Sequence, residues 1–268
     1  MSDTIAVISD IARKAGRIQM ECLGRALRIE YKGVIDIVTD VDRRCEEMIL
    51  SELGRHFPGD EILAEEGGVR SGNAARRWIV DPLDGTVNFA HGFPFFCVSI
   101  ALEEDGELAA GAIFDPNRDE LFTAEKGKGA QLNGKRMQVS TIPELNKAML
   151  ATGFAYNVRE VERLDNLDNF GNFVKRACAV RRPGSAAIDL AWLACGRIDG
   201  FWELFLKPWD IAAGVLIIRE AGGRVTSFNG GPLDIFGTEI LASNGLIHEE
   251  MQEVLKIRES CIVDRGSS

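Results

Sequence analysis

A layered α/β protein is the fold class this sequence predicts, on three observations. Segments of helical and strand spacing alternate from end to end, and a hairpin signal at Asp105-Gly106 makes the sheet mixed instead of purely parallel. The 268-residue chain, 46% hydrophobic and 27% charged with no low-complexity linker, has apolar surface enough for one large core or two closely joined halves.

Ile8, Ile11, Ala15 and Ile18 fall at helical spacing and predict an amphipathic helix over the first two dozen residues. Cys45, Met48, Ile49 and Leu53 mark a second helix, beginning near Thr39 and Asp40 and stopping at Pro58-Gly59. Residues 61–64 and 77–80 are apolar runs of strand length, each ending at carboxylates. Residues 96–102 and 108–114 flank Asp105-Gly106 as an antiparallel hairpin, 121–124 continue the strands, and Gly127, Gly129 and Gly134 punctuate the following loops. Pro143 and its polar neighbours suggest a boundary between an N-terminal half, 1–143, and a C-terminal half, 144–268. That second half reads as a strand at 149–152, a helix at 161–177, a short strand at 179–181 and a nearly all-apolar buried helix at 184–195. A strand at 198–204, a helix at 209–221 closed by Gly222-Gly223, strands at 224–228 and 239–242, and a last helix built on Leu246, Met251, Val254 and Leu255 complete it.

The formal charge of −10 disfavours broad binding to polyanions and leaves small ligands or cations as easier partners. Cys22, Cys45, Cys97, Cys178, Cys195 and Cys261 are scattered without a C-x-x-C pair and read as reduced core residues of a cytoplasmic protein. The first residues lack a basic start followed by an apolar run, and no apolar stretch approaches membrane-spanning length. His56, His91 and His248 have no ligand spacing to one another and read as surface or packing residues.

Chemistry concentrates in Trp78-Ile-Val-Asp-Pro-Leu-Asp-Gly-Thr-Val-Asn-Phe89, where two carboxylates leave an apolar strand and meet a glycine turn. A turn at Pro82 and Gly85 lets Asp81 and Asp84 point into one pocket, where they repel unless a cation or a proton intervenes. Oxygen donors with no histidine or thiol nearby suit Mg²⁺ or a similar ion. Thr86 and the amides of Gly85 and Thr86 lie where a phosphate would sit. Asp-Pro and Asp-Gly are also common turn dipeptides, so the wider context has to decide. Glu65 and Glu66 end the run 62–64 as Asp81 ends 78–80, and adjacent strands would bring both ends to one sheet edge, the place where open α/β sheets bind ligands. Asp42 and Asp210 also have a plain reading as acids in the first turn of a helix.

On these residues the chain resembles the inositol monophosphatase family. Asp81-Pro-Leu-Asp-Gly-Thr86 with Asn88-Phe89 matches its first motif, and Trp209-Asp210-Ile-Ala-Ala-Gly214 with Glu220-Ala-Gly-Gly223 matches its second. Lys32-Gly33, Asp36-Ile-Val-Thr39 and Asp42, the Glu65-Glu66 pair and Gly184-Ser-Ala186 follow in family order over residues 10–245. Arg181-Arg182-Pro-Gly-Ser-Ala-Ala-Ile-Asp-Leu190 is most similar to the family's bacterial SuhB-type inositol-1-monophosphatase branch. Val87 departs from the motif, which often has a second threonine there, and loses that hydroxyl.

The resemblance implies an αβαβα sandwich with mixed sheets, the sugar-phosphatase fold. It also implies Mg²⁺, two to three ions per site: one held by Glu65, Asp81 and the carbonyl of Leu83, a second by Asp81, Asp84 and Asp210, and a weaker third by Glu65. The implied reaction is lithium-sensitive hydrolysis of a phosphate monoester by an in-line water, with Glu65 and Thr86 orienting or deprotonating the water. Asp42 would accept a hydrogen bond from Thr86, and the Gly85 and Thr86 amides would bind phosphate. Asp84, Gly184, Ser185, Ala186, Glu203 and Asp210 would meet the alcohol. Glu203 also has a plain reading as a polar strand residue between Trp202 and Leu204, and Lys32 either reaches phosphate from its loop or is a solvated lysine.

The substrate class is a small phosphorylated polyol or sugar, first myo-inositol 1-phosphate. Fructose 1,6-bisphosphate, histidinol phosphate and adenosine 3′,5′-bisphosphate, also handled by relatives, are the alternatives. The resemblance further implies a homodimer, with Arg181 near its interface, and RNA polymerase or antitermination factors as possible partners. The basic cluster of Lys175-Arg176 and Arg181-Arg182 reads more simply as a solvated face or subunit contact. A rival reading takes Asp40-Val-Asp42 as the nucleophile motif of a haloacid-dehalogenase phosphatase, but Arg43 stands where that motif wants Thr or Val and the downstream acids stay unexplained.

Overall fold

A computed structural model describes residues 3–25, 28–31, 37–154 and 166–264. Helix α1 (Asp3–Cys22) buries the predicted stripe, with Ile8, Ile11 and Ala15 fully inside. A two-stranded ribbon of β1 (Ile29–Tyr31) and β2 (Ile37–Thr39) leads into α2 (Asp40–His56), whose N-cap is Thr39. Next come β3 (Asp60–Ala64), β4 (Gly68–Arg70), β5 (Asn73–Asp84) and the single short helix turn α3 (Thr86–Ala90). The strands β6 (Cys97–Glu104), β7 (Glu107–Asp115), β8 (Glu120–Glu125), β9 (Gly129–Leu132) and β10 (Lys135–Arg136) then run as an antiparallel meander.

After a 3-10 turn (Leu145–Lys147), the remaining elements are β11 (Met149–Thr152), α4 (Leu167–Val174), β12 (Ala179–Arg181), α5 (Ala186–Ala194), β13 (Gly200–Leu204), α6 (Pro208–Glu220), β14 (Arg224–Thr226), β15 (Glu239–Ser243) and α7 (His248–Asp264). An eight-stranded sheet, ordered β10-β9-β8-β7-β6-β5-β3-β4, and a five-stranded sheet, ordered β12-β11-β13-β15-β14, are both mixed: β3 runs parallel to β5, and β11 parallel to β12 and β13.

Five layers result. Helices α1 and α2 cover one face of the large sheet, α5 and α6 lie between the sheets, and α4 and α7 cover the far face of the small sheet. The middle layer explains why α5 and α6 are apolar nearly all round, since each has a sheet or a helix on every side. One hydrophobic cluster runs through that layer from Ile79 and Phe122 in the large sheet to Phe201 and Ala242 in the small one.

Several boundaries differ from the sequence reading. Strand β5 extends from 73 to 84 instead of 77 to 80, because its charged half pairs with β6 through Arg76 opposite Glu104 and Arg77 opposite Glu103. Strands β9 and β10 occupy the segment expected to be glycine-punctuated loops, and β4 a stretch to which the sequence assigns no element; all are too short and polar to show alternation. Helix α4 stops at Val174 and β14 at Thr226, short of 177 and 228. The reading of the cysteines as core residues holds for Cys22, Cys45 and Cys97, but Cys178, just before β12, is exposed and Cys195, at the C-terminal cap of α5, is half-buried; the side chain of Cys261 lies outside the described residues. Lys32 and the predicted helix start at 161–165 lie outside the described residues.

Candidate active site

Side chains alternate along a strand, so acids three residues apart on a regular strand point to opposite faces. In β5 the register shifts: Asp81 pairs with Ser99 and Asp84 with Cys97, three residues on one strand against two on the other. That extra residue puts both carboxylates on one side. Pro82, which has no N–H to give the ladder, sits in the bulge, and its carbonyl accepts Gln19 Nε2 of α1 at 2.8 Å. The Leu83 N–H donates to Asp81 Oδ1 at 2.9 Å. Gly85 follows with a φ of 93°, and an added Cβ there would lie 2.8 Å from the Phe95 carbonyl oxygen, so glycine is required twice over.

Thr86 opens α3 with its hydroxyl 2.9 Å from Asp42 Oδ1 and 3.0 Å from the Leu83 carbonyl oxygen. With one hydrogen, it donates to one of them at a time. Asp42 is fully buried, and its other oxygen accepts the Thr39 N–H at 2.9 Å, closing the capping box of α2. Its helix role and its contact with Thr86 are therefore both present, one on each oxygen.

The second half brings two helix starts to the same place. Asp84 Oδ2 accepts the Ser185 hydroxyl at 2.6 Å and the Ala187 N–H at 2.7 Å, so the carboxylate caps α5 from another strand. Asp210, in the first turn of α6 behind Pro208, accepts the Lys207 N–H at 2.7 Å. Asn88 Nδ2 reaches the carbonyls of Pro183 at 2.9 Å and Phe95 at 2.8 Å, tying the Gly184 loop to α3. Glu65, Asp84, Gly184, Ser185, Ala186, Glu203 and Asp210 all line one cavity of about 460 Å³. Asp81 is buried beneath it.

These acids are electrostatically expensive. Burial, then the charges of Glu65, Asp84 and Asp210, hold the Asp81 carboxyl well above the usual range. Burial raises Asp210 too, followed by the charge of Asp84. Burial pushes Asp84 up to about 6, opposed by its Ser185, Ala187 and Ala186 donors. Glu203 is raised by burial, then by Asp210 and Asp84, with Arg182 opposing. Burial also raises the Cys97 thiol, which stays neutral and leaves the donor set all oxygen. A hard divalent cation fits that chemistry. Among the described residues no group of three or more Asp, Glu, His or Cys side chains is already drawn together as a metal centre.

Sequence reasoning missed two residues here. Gln19 is fully buried and props the Pro82 carbonyl, which no local pattern in α1 announces. Asp189, one turn into α5, lines the same cavity at 2% exposure, inside a run whose nearly all-apolar character gives no signal for it.

A family model described as the inositol monophosphatase family matches residues 1–262. The chain is 44% identical over 255 residues to an inositol-1-monophosphatase of Synechocystis, covering 94% of this chain and 88% of that one. It is 42% identical over 239 residues to the Nus factor SuhB of Pseudomonas aeruginosa, covering 87% and 88%. Its fold superposes on the solved inositol monophosphatase of Anabaena with a TM-score of 0.87 at 42% identity, covering 94% of both chains.

Proposed function

The chain belongs to the inositol monophosphatase family and is an inositol-phosphate phosphatase, and from that premise we propose that it hydrolyses myo-inositol 1-phosphate in a Mg²⁺-dependent, lithium-sensitive reaction. The single observation that carries the reading is the β5 bulge, which sets Asp81 and Asp84 on one side against Glu65 and the α6 acid Asp210. Glu65, Asp81, Asp84, Asp210 and the Leu83 carbonyl would hold the two to three ions. When bound, Mg²⁺ supplies charge to offset that of the phosphoryl group and acidifies a water.

The chain's own groups do the rest. Thr86 and Glu65 orient the water, and Asp42 accepts the Thr86 hydroxyl hydrogen so that the threonine oxygen is free to accept from the water. The Gly85 and Thr86 amides meet the phosphate, while Asp84, the 184–186 segment, Glu203 and Asp210 meet the alcohol along the cavity wall. From the family membership alone we infer a homodimer in the cytoplasm; the described cysteines are free thiols, and among the described residues no helix is long and apolar enough to cross a membrane. The substrate is tested by comparing kcat/KM across phosphate esters with Mg²⁺ present. myo-Inositol 1-phosphate should lead; a preference for fructose 1,6-bisphosphate by orders of magnitude would replace it.

A second reading is favoured by the 42% identity to a protein named as a Nus factor: the chain also joins a transcription antitermination complex. The exposed Arg181 and Arg182 beside the Gly184 loop are its candidate contacts. Co-purification with RNA polymerase from its own cells, lost on reversing both charges, would support this role, and its absence at physiological salt would remove it.

A further inference from the structure

Asp189 is the buried acid that the reaction outlined above leaves without a task. It lies in the first turn of α5, 2% exposed, and it lines the same cavity as Glu203 on the strand β13 that α5 packs against. A first-turn acid ordinarily needs no explanation, because the helix dipole favours it. Such acids sit in water, however, and this one does not. Ser185 already caps the helix by accepting the Ile188 N–H. Among the described residues no group donates to Asp189 Oδ1, which is sealed from the surface. A carboxyl buried without a donor is among the costlier things a fold can carry, and it persists where a ligand completes it.

We propose that Asp189 is a specificity-determining residue, pairing with Glu203 to grip hydroxyl groups of the alcohol so that the cavity selects phosphate esters of polyols over those of simple alcohols. The inference rests on the phosphatase reading of this site. Burial first, then the fields of Glu203 and Asp84, raise the Asp189 carboxyl well above its ordinary range, which favours its protonated form. A neutral acid both donates and accepts, which matches a hydroxyl and offers little to a cation. Rotation of the carboxyl about its last torsion exchanges which oxygen meets the cavity.

The test compares Asp189→Leu and Asp189→Asn with the wild type, using myo-inositol 1-phosphate and phenyl phosphate, which lacks hydroxyls. The leucine variant should lose about 10- to 100-fold in kcat/KM on the inositol ester, mainly through KM, and stay within about twofold on phenyl phosphate. The asparagine variant, which keeps an acceptor and a donor, should recover part of that loss. Thermal unfolding without substrate should leave the leucine variant at least as stable as wild type, since its unpaired carboxyl is gone. Equal losses on both esters, or an unchanged ratio between them, would overturn the proposal. If the wild type hydrolyses neither ester, the phosphatase reading itself fails. Calorimetric binding of myo-inositol then decides: binding lost in the leucine variant supports the grip, and binding equal in both or absent from both sinks it.

Discussion

At the residue scale, the pairing of Thr86 with Asp42 ties the start of α3 to the start of α2. Replacing Thr86 by Val keeps the shape, removes the hydroxyl that donates to Asp42 Oδ1, and leaves a fully buried carboxylate one donor short. We expect kcat to fall on the order of 100-fold with KM little changed, since the role proposed for the group is on the water and not on the alcohol. Steady-state kinetics check this, and a variant that raised KM with kcat intact would move Thr86 to substrate binding. Much of the site was readable at this scale because the motif residues are local: Asp81, Asp84, Gly85 and Thr86 lie within six positions, and the Gly85 turn announces itself. Gln19 was not readable, because its task is to reach a carbonyl 63 residues away. Asp42 and Asp210 were readable only as alternatives, since a capping acid and a site acid have the same sequence signature, and in the structure each also bonds its own helix start.

At the scale of elements, the site depends on how closely α5 and α6 approach. Each brings its N-terminal end to the cavity, with Ser185 and Ala187 on one side and Asp210 on the other. Gly214 permits the approach, because a Cβ there would lie 2.6 Å from Leu190 Cβ. Gly214→Ala should therefore cost about 1–3 kcal/mol by overpacking, despite the better helix propensity of alanine, and should lower activity by prying the two helix starts apart. Urea unfolding together with kinetics tests this; a more stable variant of full activity would show that the contact relaxes at no cost. The long elements were legible, α1 and α2 from hydrophobic period, the β6–β7 hairpin from its Asp105-Gly106 turn, and α6 from an apolar run closed by Gly222-Gly223. The bulge in β5 was legible only as a turn at Pro82, since nothing in the sequence shows which partner residues Asp81 and Asp84 will oppose. The short strands β4, β9 and β10 exist because neighbouring strands offer them a ladder, a tertiary cause without a local signature.

At the scale of the whole molecule, stability and charge pull against each other. His248 is fully buried at the start of α7, between the hydroxyls of Thr226 at 2.9 Å and Ser243 at 2.8 Å, and burial, then Arg224, push its imidazole down to about 4. The folded protein holds it neutral, while the unfolded chain takes a proton near pH 6.5. Its contribution is complete above pH 6.5 and is lost as pH falls toward 4. The unfolding free energy of wild type minus that of His248→Gln should shrink across that window, and a difference independent of pH would contradict the assignment. The buried carboxylates slope the other way, because their raised folded pKa values favour the folded form in acid, so only the difference between the two proteins isolates the histidine. Those carboxylates matter most for the account as a whole: Asp81, Asp84, Asp210 and Glu65 raise one another's cost, and a fold gathers such a set to hold a cation. The most direct test follows phosphate release from myo-inositol 1-phosphate as Mg²⁺ is titrated into chelator-treated wild type and Asp81→Asn, with circular dichroism recording the fold. Saturable recovery in the wild type, and release lower by about 100-fold or more in a folded variant, is the predicted result; full turnover in excess chelator, or undiminished turnover by Asp81→Asn, would contradict it.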